Sequence, residues 1–354
     1  MEVIRVRNVQ EALPRGVEAL FHSGISAPSR NGEVLAMPCP VTTVYSRPTE
    51  RVIFWPERDA NPFFHFFESL WMLAGRNDVT YVEQFAKRMR DYSDDGEVIY
   101  GAYGFRWRTW FGFDQIEAVV EELKRDPFSR RAVLTMWSPN GDLIQADGGV
   151  GGLSSKDIPC NTQIYLRRAS GELHMTLTCR SNDIVWGAYG ANAVHFSMLQ
   201  EYLAGMLGTR VGTLYQVSNN FHGYKKTLGP VQALLHKKMA CPYAAGIVQP
   251  YPIMDHAPTW DRDLGIFLRA QEEGTLLNTA TVDPGPEDHY TNSFFTQVAT
   301  PLAMAHLCYT DKSDPCRFDK ARNWLLVCAA TDWKLAAADW LDRREGEYNA
   351  RQAS

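Results

Sequence analysis

No stretch of this chain stays apolar for the roughly 20 residues that a bilayer-spanning helix needs. The first residues, Met-Glu-Val-Ile-Arg-Val-Arg, lack the apolar centre of a secretory signal. A cytoplasmic protein with no membrane partner is expected. The seven cysteines, at positions 39, 160, 179, 241, 308, 316 and 328, include no CxxC pair, and their number is odd. That argues against a disulfide framework or a zinc site, and no metal is expected. Basic residues form no stripe or tail. The net charge is −5 with both signs scattered, so no nucleic-acid surface is expected. The Gly- and Ser-rich stretch 138–156, with Gly148, Gly149, Gly151 and Gly152, lacks the Gly-Lys-Ser/Thr ending of a phosphate-binding loop. It reads as a mobile loop. No internal repeat or low-complexity tract is present.

What remains is an ordinary globular composition. With 354 residues, 45% of them apolar, the chain can bury a large core, as two domains or as one α/β domain with insertions. A helix is expected around 9–22 and a turn at Ser29-Arg30-Asn31-Gly32. Residues 41–45 and 52–55 are rich in β-branched and aromatic residues and read as strands. Asn61-Pro62 opens a strongly apolar helix that carries Glu68. A carboxylate there is costly to bury unless it is hydrogen-bonded or functional. A second helix is expected over 79–92, an aromatic, Gly-broken functional loop over 101–110, and an amphipathic helix over 113–125. Ser129-Arg130-Arg131 leads into a strand at 132–137. Adjacent arginines at such a corner are ordinarily solvated, but guanidinium forks also match phosphate.

Strands at 162–168 and 172–179 flank Ser170-Gly171 as a hairpin. In the second, Leu173, Met175, Leu177 and Cys179 alternate with polar residues, so Cys179 faces a core. A helix over 193–207 and a strand over 211–217 follow. Proline-rich connections at 242–258 and helices over 261–274, 296–309 and 319–344 complete the chain.

The chemistry concentrates between Asp157 and Tyr224. A thiolate nucleophile needs nearby positive charge. Arg180 ends the strand that neighbours the one Cys160 begins, so the hairpin can bring the two together. Taken alone, Cys160 would still read as an inert buried thiol, since no His lies close in sequence.

The wider set of motifs changes that reading. Pro159-Cys160, then Arg180-Ser181-Asn182-Asp183, Asn192 and His222-Gly-Tyr224 resemble the thymidylate synthase superfamily. Upstream pieces agree in order: the turn at Arg30, Glu68-Ser-Leu-Trp71, Tyr103-Gly-Phe-Arg-Trp107-Arg, and Asp126-Pro-Phe-Ser-Arg130-Arg131. The resemblance covers about 25–230. It implies an α/β (α+β) fold with a large, mostly antiparallel twisted sheet, helices on one side, and a sheet-to-sheet homodimer. Residues 1–230 would form the catalytic core and 231–354 a helical extension packed on it.

It also implies roles. Cys160 would add to C6 of a pyrimidine nucleoside monophosphate, and 5,10-methylenetetrahydrofolate would be the one-carbon co-substrate. Arg30, Arg180 and Ser181 would hold the 5′-phosphate, with Arg130 and Arg131 donated across the dimer. His222 and Tyr224 would hold the sugar, and Asn192 would read the base. Glu68 would organise proton transfer and water, and Tyr103 would assist removal of the C5 proton. Asp183 and Trp71 would contact folate.

Four departures from the synthase pattern follow. Residues 88–92 carry no Trp where synthases shield the methylene intermediate from water. Asn161 replaces the His after the nucleophile. Arg180-Ser-Asn-Asp183 resembles the phage deoxycytidylate hydroxymethylase branch. The chain ends in a long extension instead of a short apolar tail. A site open to water favours a hydroxymethyl over a methyl product. The expectation is therefore a pyrimidine nucleotide C5-hydroxymethylase, as in phage DNA modification. Thymidylate synthase and a non-catalytic nucleotide-binding homologue are the alternatives. Asn192 favours deoxyuridylate, with deoxycytidylate still open. The loop 187–192 is one residue longer than the family spacing, and a one-residue shift would put Ala191 at the base.

Overall fold

A computed structural model describes residues 1–144, 152, 154–276 and 290–352. The chain forms two compact units, one of Met1–Arg58 with Phe64–Met239, the other of Asp59–Phe63 with Ala240–Ser354. The first unit ends at Met239, so Val231 and Leu234, expected in the extension, are buried in it.

The first unit holds a six-stranded mixed sheet. Its strands are β1 (Glu2–Val6), β4 (Val41–Tyr45), β5 (Val133–Thr135), β6 (Asn161–Ala169), β7 (Glu172–Cys179) and β9 (Arg210–Ser218), in the spatial order β1-β4-β9-β7-β6-β5. The pairs β4/β9, β7/β6 and β6/β5 are antiparallel, while β1/β4 and β9/β7 are parallel. A smaller sheet orders β2 (Ile25–Ala27), β3 (Val34–Ala36), β10 (Phe221–Tyr224) and β8 (Asn182–Asp183).

Period-two patterning decides which face is covered. On β7 and β9, Leu173, Met175, Leu177, Leu214, Gln216 and Ser218 are buried. The helix Asn192–Met206 packs on these two strands. The other face carries Tyr165, Thr176, Thr178, Thr213, Tyr215 and Val217, all partly or fully exposed. The hairpin between β6 and β7 turns at Ser170 and Gly171, with φ of 53° and 74°. Two consecutive left-handed residues match the strand twist, which fixes the register that ends with Asn161 opposite Cys179.

Several expectations change. Residues 52–55 are buried but pair with no strand, so hydrophobicity there marks core coil. The single helix expected over 79–92 is a short turn, Val79–Val82, and a separate 3-10 segment, Lys87–Tyr92. The expected loop 101–110 contains the helix Tyr103–Arg108. It is held by Arg106, whose guanidinium bonds Asp142, Met136 O and Tyr100 O and faces the Trp110 ring at 4.2 Å. That tertiary anchoring outweighs the glycines that suggested a loop. The expected mobile segment around Gly148, Gly149 and Gly151 lies outside the described residues.

The second unit joins described coil and turns over 240–256 to helices. Trp260–Glu272, Thr300–Thr310, Arg317–Leu326 and Thr331–Gln352 are its main helices. The helix expected over 319–344 is thus two, interrupted at 327–330. Asp263 is fully buried and accepts the Thr291 and Asn292 backbone N–H groups and the Asn292 side chain.

Candidate active site

A cavity of about 280 Å³ opens in the first unit beside the ends of β6 and β7. The β6/β7 register brings Cys160 and Arg180 side by side, and the Arg180 amide donates to Cys160 O at 2.9 Å. The guanidinium then folds back on the residues before the nucleophile. It donates to Pro159 O at 2.8 Å and Ile158 O at 2.9 Å, and Nη2 lies 3.9 Å from the Cys160 sulfur. Burial pushes the Cys160 thiol up, Arg180 pulls it down, Asp157 pushes it up again and Arg30 opposes. The thiol is thus close to a cation that can stabilise its thiolate.

The floor of the cavity is acidic and amide-lined. Glu68 is buried on the helix Pro62–Leu73, and its Oε2 lies 2.9 Å from His195 Nε2. The two meet at a poor angle: neither Glu68 Oε2 nor either ring nitrogen of His195 makes a well-aligned hydrogen bond among the described residues. Tyr103 begins the helix Tyr103–Arg108 and packs against Phe196, with ring centroids 5.7 Å apart. Burial holds its hydroxyl well above the usual tyrosine range, reinforced by Cys160 and Asp157. Asp157 accepts the Gly101 amide at 3.1 Å. A Cβ at Gly101 would meet the same carboxylate oxygen at 2.7 Å, so only glycine permits this approach. Burial raises Asp157 to about 6, against the opposing pull of the Gly101 amide and Arg106.

Three asparagines form a buried network. Asn192 Nδ2 donates to Asn182 Oδ1 at 3.1 Å, and Asn161 Nδ2 donates to Asn192 Oδ1 at 3.4 Å. Asn182 Nδ2 reaches Ser218 Oγ at 3.0 Å, and the Cys179 thiol donates to Asn161 Oδ1 at 2.7 Å. Cys179 is therefore structural, as its period-two position implied.

Asp183 caps the segment Ile184–Ala191 through the Val185 and Trp186 amides. Tyr189 and Gly190 leave helical geometry, and the Asn192 amide bonds back to Gly187 O, five residues earlier. A wide turn of this kind absorbs one inserted residue. Asn192 keeps its side chain in the asparagine network, and Ala191 lines the cavity beside it.

One wall is apolar: Trp71, Met72, Met89, Tyr92 and Trp186. Trp71 Nε1 donates to Asp78 at 3.1 Å. Trp186 is 43% exposed, and Arg88 and Arg58 face its ring at 4.4 and 4.9 Å. The segment 88–92 lacks a Trp, yet Met89 and Tyr92 line the cavity and an indole arrives from Trp186. Ser181, Asp183, His222 and Tyr224 complete the lining. Burial raises Asp183, which His222 and the amides it accepts oppose.

The cavity thus gathers Glu68, Trp71, Tyr103, Cys160, Ser181, Asp183, Asn192, His222 and Tyr224, with Arg180 beside Cys160. Arg30 is exposed and donates to Lys156 O at 3.1 Å. Arg130 and Arg131 are exposed and do not line this cavity. Sequence reasoning quoted Asp157 and Asn182 within its motifs but gave them no role, and it did not single out His195 or Trp186. His195 had a signal, because it follows Asn192 by three residues on one helix and shares its face.

The family profile described as thymidylate synthase matches residues 60–248. The chain is 48% identical over 363 aligned residues, 100% of its length and 97% of the relative, to the deoxyuridylate hydroxymethyltransferase of Pseudomonas phage M6. It is 37% identical over 200 residues, 54% of this chain and 50% of the relative, to the deoxyuridylate hydroxymethyltransferase of Bacillus phage SP01. The crystal structure of the thymidylate synthase from T4 phage is similar in fold, with a TM-score of 0.50 and 18% identity, covering 64% of this chain and 81% of that one. The chain belongs to the thymidylate synthase family, in the branch that holds the phage deoxyuridylate hydroxymethyltransferases.

Proposed function

We propose that this protein is a folate-dependent hydroxymethyltransferase acting on C5 of deoxyuridylate. The observation that carries the proposal is the full-length likeness to the Pseudomonas phage M6 protein. The product would serve as a precursor of modified phage DNA.

The site supports the reading in three ways. First, Cys160 beside Arg180 suits a thiolate that adds to C6 of the pyrimidine ring and makes C5 nucleophilic. Second, the asparagine network favours uracil over cytosine. Asn192 uses one amide N–H on Asn182 and one lone pair on Asn161. One donor and one acceptor remain, which suit O4 and N3–H of uracil. Cytosine reverses both groups, and turning the amide to meet it would break both bonds. Third, the wall of Trp71, Tyr92 and Trp186 together with the Asp183 carboxylate fits a flat heteroaromatic ring carrying N–H donors.

Methylenetetrahydrofolate supplies the one-carbon unit. In this reading Arg30, Arg180 and Ser181 hold the 5′-phosphate, and His222 and Tyr224 hold the sugar. Tyr103 assists removal of the C5 proton, while Glu68 organises water and proton transfer at the base. Arg130 and Arg131 act in the cavity of a second copy. The open face of the large sheet, with Tyr165 and Tyr215 among its residues, is the surface that copy would cover.

The test is a product assay. Protein is mixed with methylenetetrahydrofolate and, separately, deoxyuridylate, deoxycytidylate and cytidylate. Hydroxymethyldeoxyuridylate with tetrahydrofolate left unoxidised is the expected outcome. A methyl product with dihydrofolate would assign a synthase. No product and no covalent adduct with 5-fluorodeoxyuridylate would assign a binding protein.

A further inference from the structure

A synthase and a hydroxymethylase need different proton inventories. Hydride capture of an exocyclic methylene requires no base for the nucleophile. Capture by water does, because the attacking oxygen must lose a proton as its bond to carbon forms. Glu68, with Oε2 2.9 Å from His195 Nε2, is assigned in this reading to proton transfer at the base. A second carboxylate on the cavity is Asp157, three residues before the nucleophile.

We infer that Asp157 is a catalytic base of the proposed hydroxymethylation, receiving a proton from the water that attacks the nucleotide's methylene. The inference rests on the hydroxymethylase reading. The geometry supports it. Oδ2 is fixed by the Gly101 amide at 3.1 Å, while Oδ1 has no hydrogen bond among the described residues. Protein surrounds the carboxylate, yet it keeps accessible surface on the cavity. The charged and titratable groups that act on it are Arg106, Glu68 and Arg180, and it acts in turn on Cys160 and Tyr103. It therefore sits amid the groups that would surround C5 and C6. An affinity for protons near pH 6 leaves it ionised at neutral pH and more basic than an ordinary carboxylate.

The step balances. The water oxygen bonds to the exocyclic carbon, and the C=C electron pair moves into the ring as an enolate conjugated with C4–O. The water proton passes to Asp157. Collapse of the enolate restores C5=C6 and expels the Cys160 thiolate. Asp157 returns its proton to solvent. Nothing is oxidised or reduced.

The test compares wild type with Asp157→Asn and Asp157→Glu. Wild type is assayed first, and a methyl product from it would sink the hydroxymethylase reading itself. With a hydroxymethyl product established, Asp157→Asn should lower its formation by roughly 100-fold or more, within the usual range for a lost general base. The covalent adduct with 5-fluorodeoxyuridylate and folate, and release of label from C5 of deoxyuridylate, should stay within a few-fold of wild type. An added thiol, which reacts as the thiolate and needs no base, should capture the methylene in Asp157→Asn as a thioether. The acid limb of kcat near pH 6 should vanish in Asp157→Asn and persist, displaced, in Asp157→Glu. Hydroxymethylation within threefold of wild type in Asp157→Asn would overturn the inference. So would loss of the adduct in both variants, which would place Asp157 before water capture.

Discussion

The cations beside the nucleophile and the floor of the cavity rest on different physics. The cationic side, Arg180 and Arg30, is exposed, and its guanidinium groups are held by backbone carbonyls of 156 and 158–159. The floor, Glu68, His195 and the three asparagines, is buried and held by side chains on several elements. Exposed cations lose little solvation and gain mostly from an anionic ligand. Buried amides must be satisfied by one another, so the three asparagines are positioned before any ligand arrives. In the proposed reaction the first side grips a phosphate and the second reads a base and moves protons. Cys160 stands where the two meet.

The largest expected effect removes that meeting point. Cys160→Ala should lower turnover by about 10⁴-fold or more, since nucleophile and partners act as a unit. Nucleotide binding, measured by calorimetry, should change only a few-fold, because both sides survive. Loss of binding equal to loss of turnover would mean that the thiol organises the cavity as well.

Next comes the support of the floor. Arg106 and Asp142 are both fully buried and bonded at 2.9 Å. Asp142→Ala leaves a buried guanidinium without its carboxylate, a change that costs about 3–5 kcal/mol. A large fall in the denaturation midpoint is expected, with loss of Tyr103 positioning. Near-normal stability would show that the Met136 and Tyr100 carbonyls hold Arg106 by themselves.

Arg180→Ala tests the wet side. A hydrogen bond to a charged group contributes about 1.5–3 kcal/mol, so the nucleotide KM should rise roughly 10- to 100-fold. The effect should shrink as salt increases. The Cys160 thiol loses the leading influence that lowers it, so its alkylation by iodoacetamide should need higher pH. An unchanged alkylation profile would assign the thiol's reactivity to Arg30.

How far the sequence reached follows the same division. Cys160 and Arg180 were legible because they lie at the ends of two consecutive strands whose register a two-residue turn at Ser170-Gly171 sets, whereas Arg30 rested on the family resemblance alone. Glu68 was legible from a single carboxylate in an apolar helix. The floor's remaining members come from distant segments. His195 meets Glu68 only when the helix Asn192–Met206 packs beside Pro62–Leu73, and no local pattern announces that. Arg106 was hidden for a related reason, because its partner Asp142 lies 36 residues away and turns an apparent Gly-rich loop into a helix. The expected strand at 52–55 failed because apolar runs report burial without naming a pairing partner. The missing Trp at 88–92 was read correctly from sequence, but the bare wall inferred from it is covered by Trp186 from another segment. Water access therefore carries less weight than the sequence suggested, because Trp186 also lines the cavity.

The smallest effect is one of stability, and it separates the floor's function from its cost. Asp157 binds its proton more tightly in the folded protein, near pH 6, than a free carboxylate does. Below about pH 4 both states are protonated and the burial costs nothing. Between about pH 4 and 6 the folded state keeps a proton that the unfolded state has lost, so stability falls as pH rises. Above pH 6 both states are ionised and the full penalty remains. The gap between an ordinary aspartate and a proton affinity near pH 6 corresponds to an upper bound on the order of 2–3 kcal/mol. Asp157→Asn should therefore unfold at higher temperature than wild type at pH 7.5, and the two should converge at pH 4. Scans of the ligand-free protein at the two pH values measure this directly. An Asn variant that is slower yet more stable at neutral pH would mark Asp157 as a group kept against folding stability. A variant less stable at pH 7.5 would instead mean that the ionised carboxylate holds the Gly101 turn, a structural role that no change in turnover could reveal.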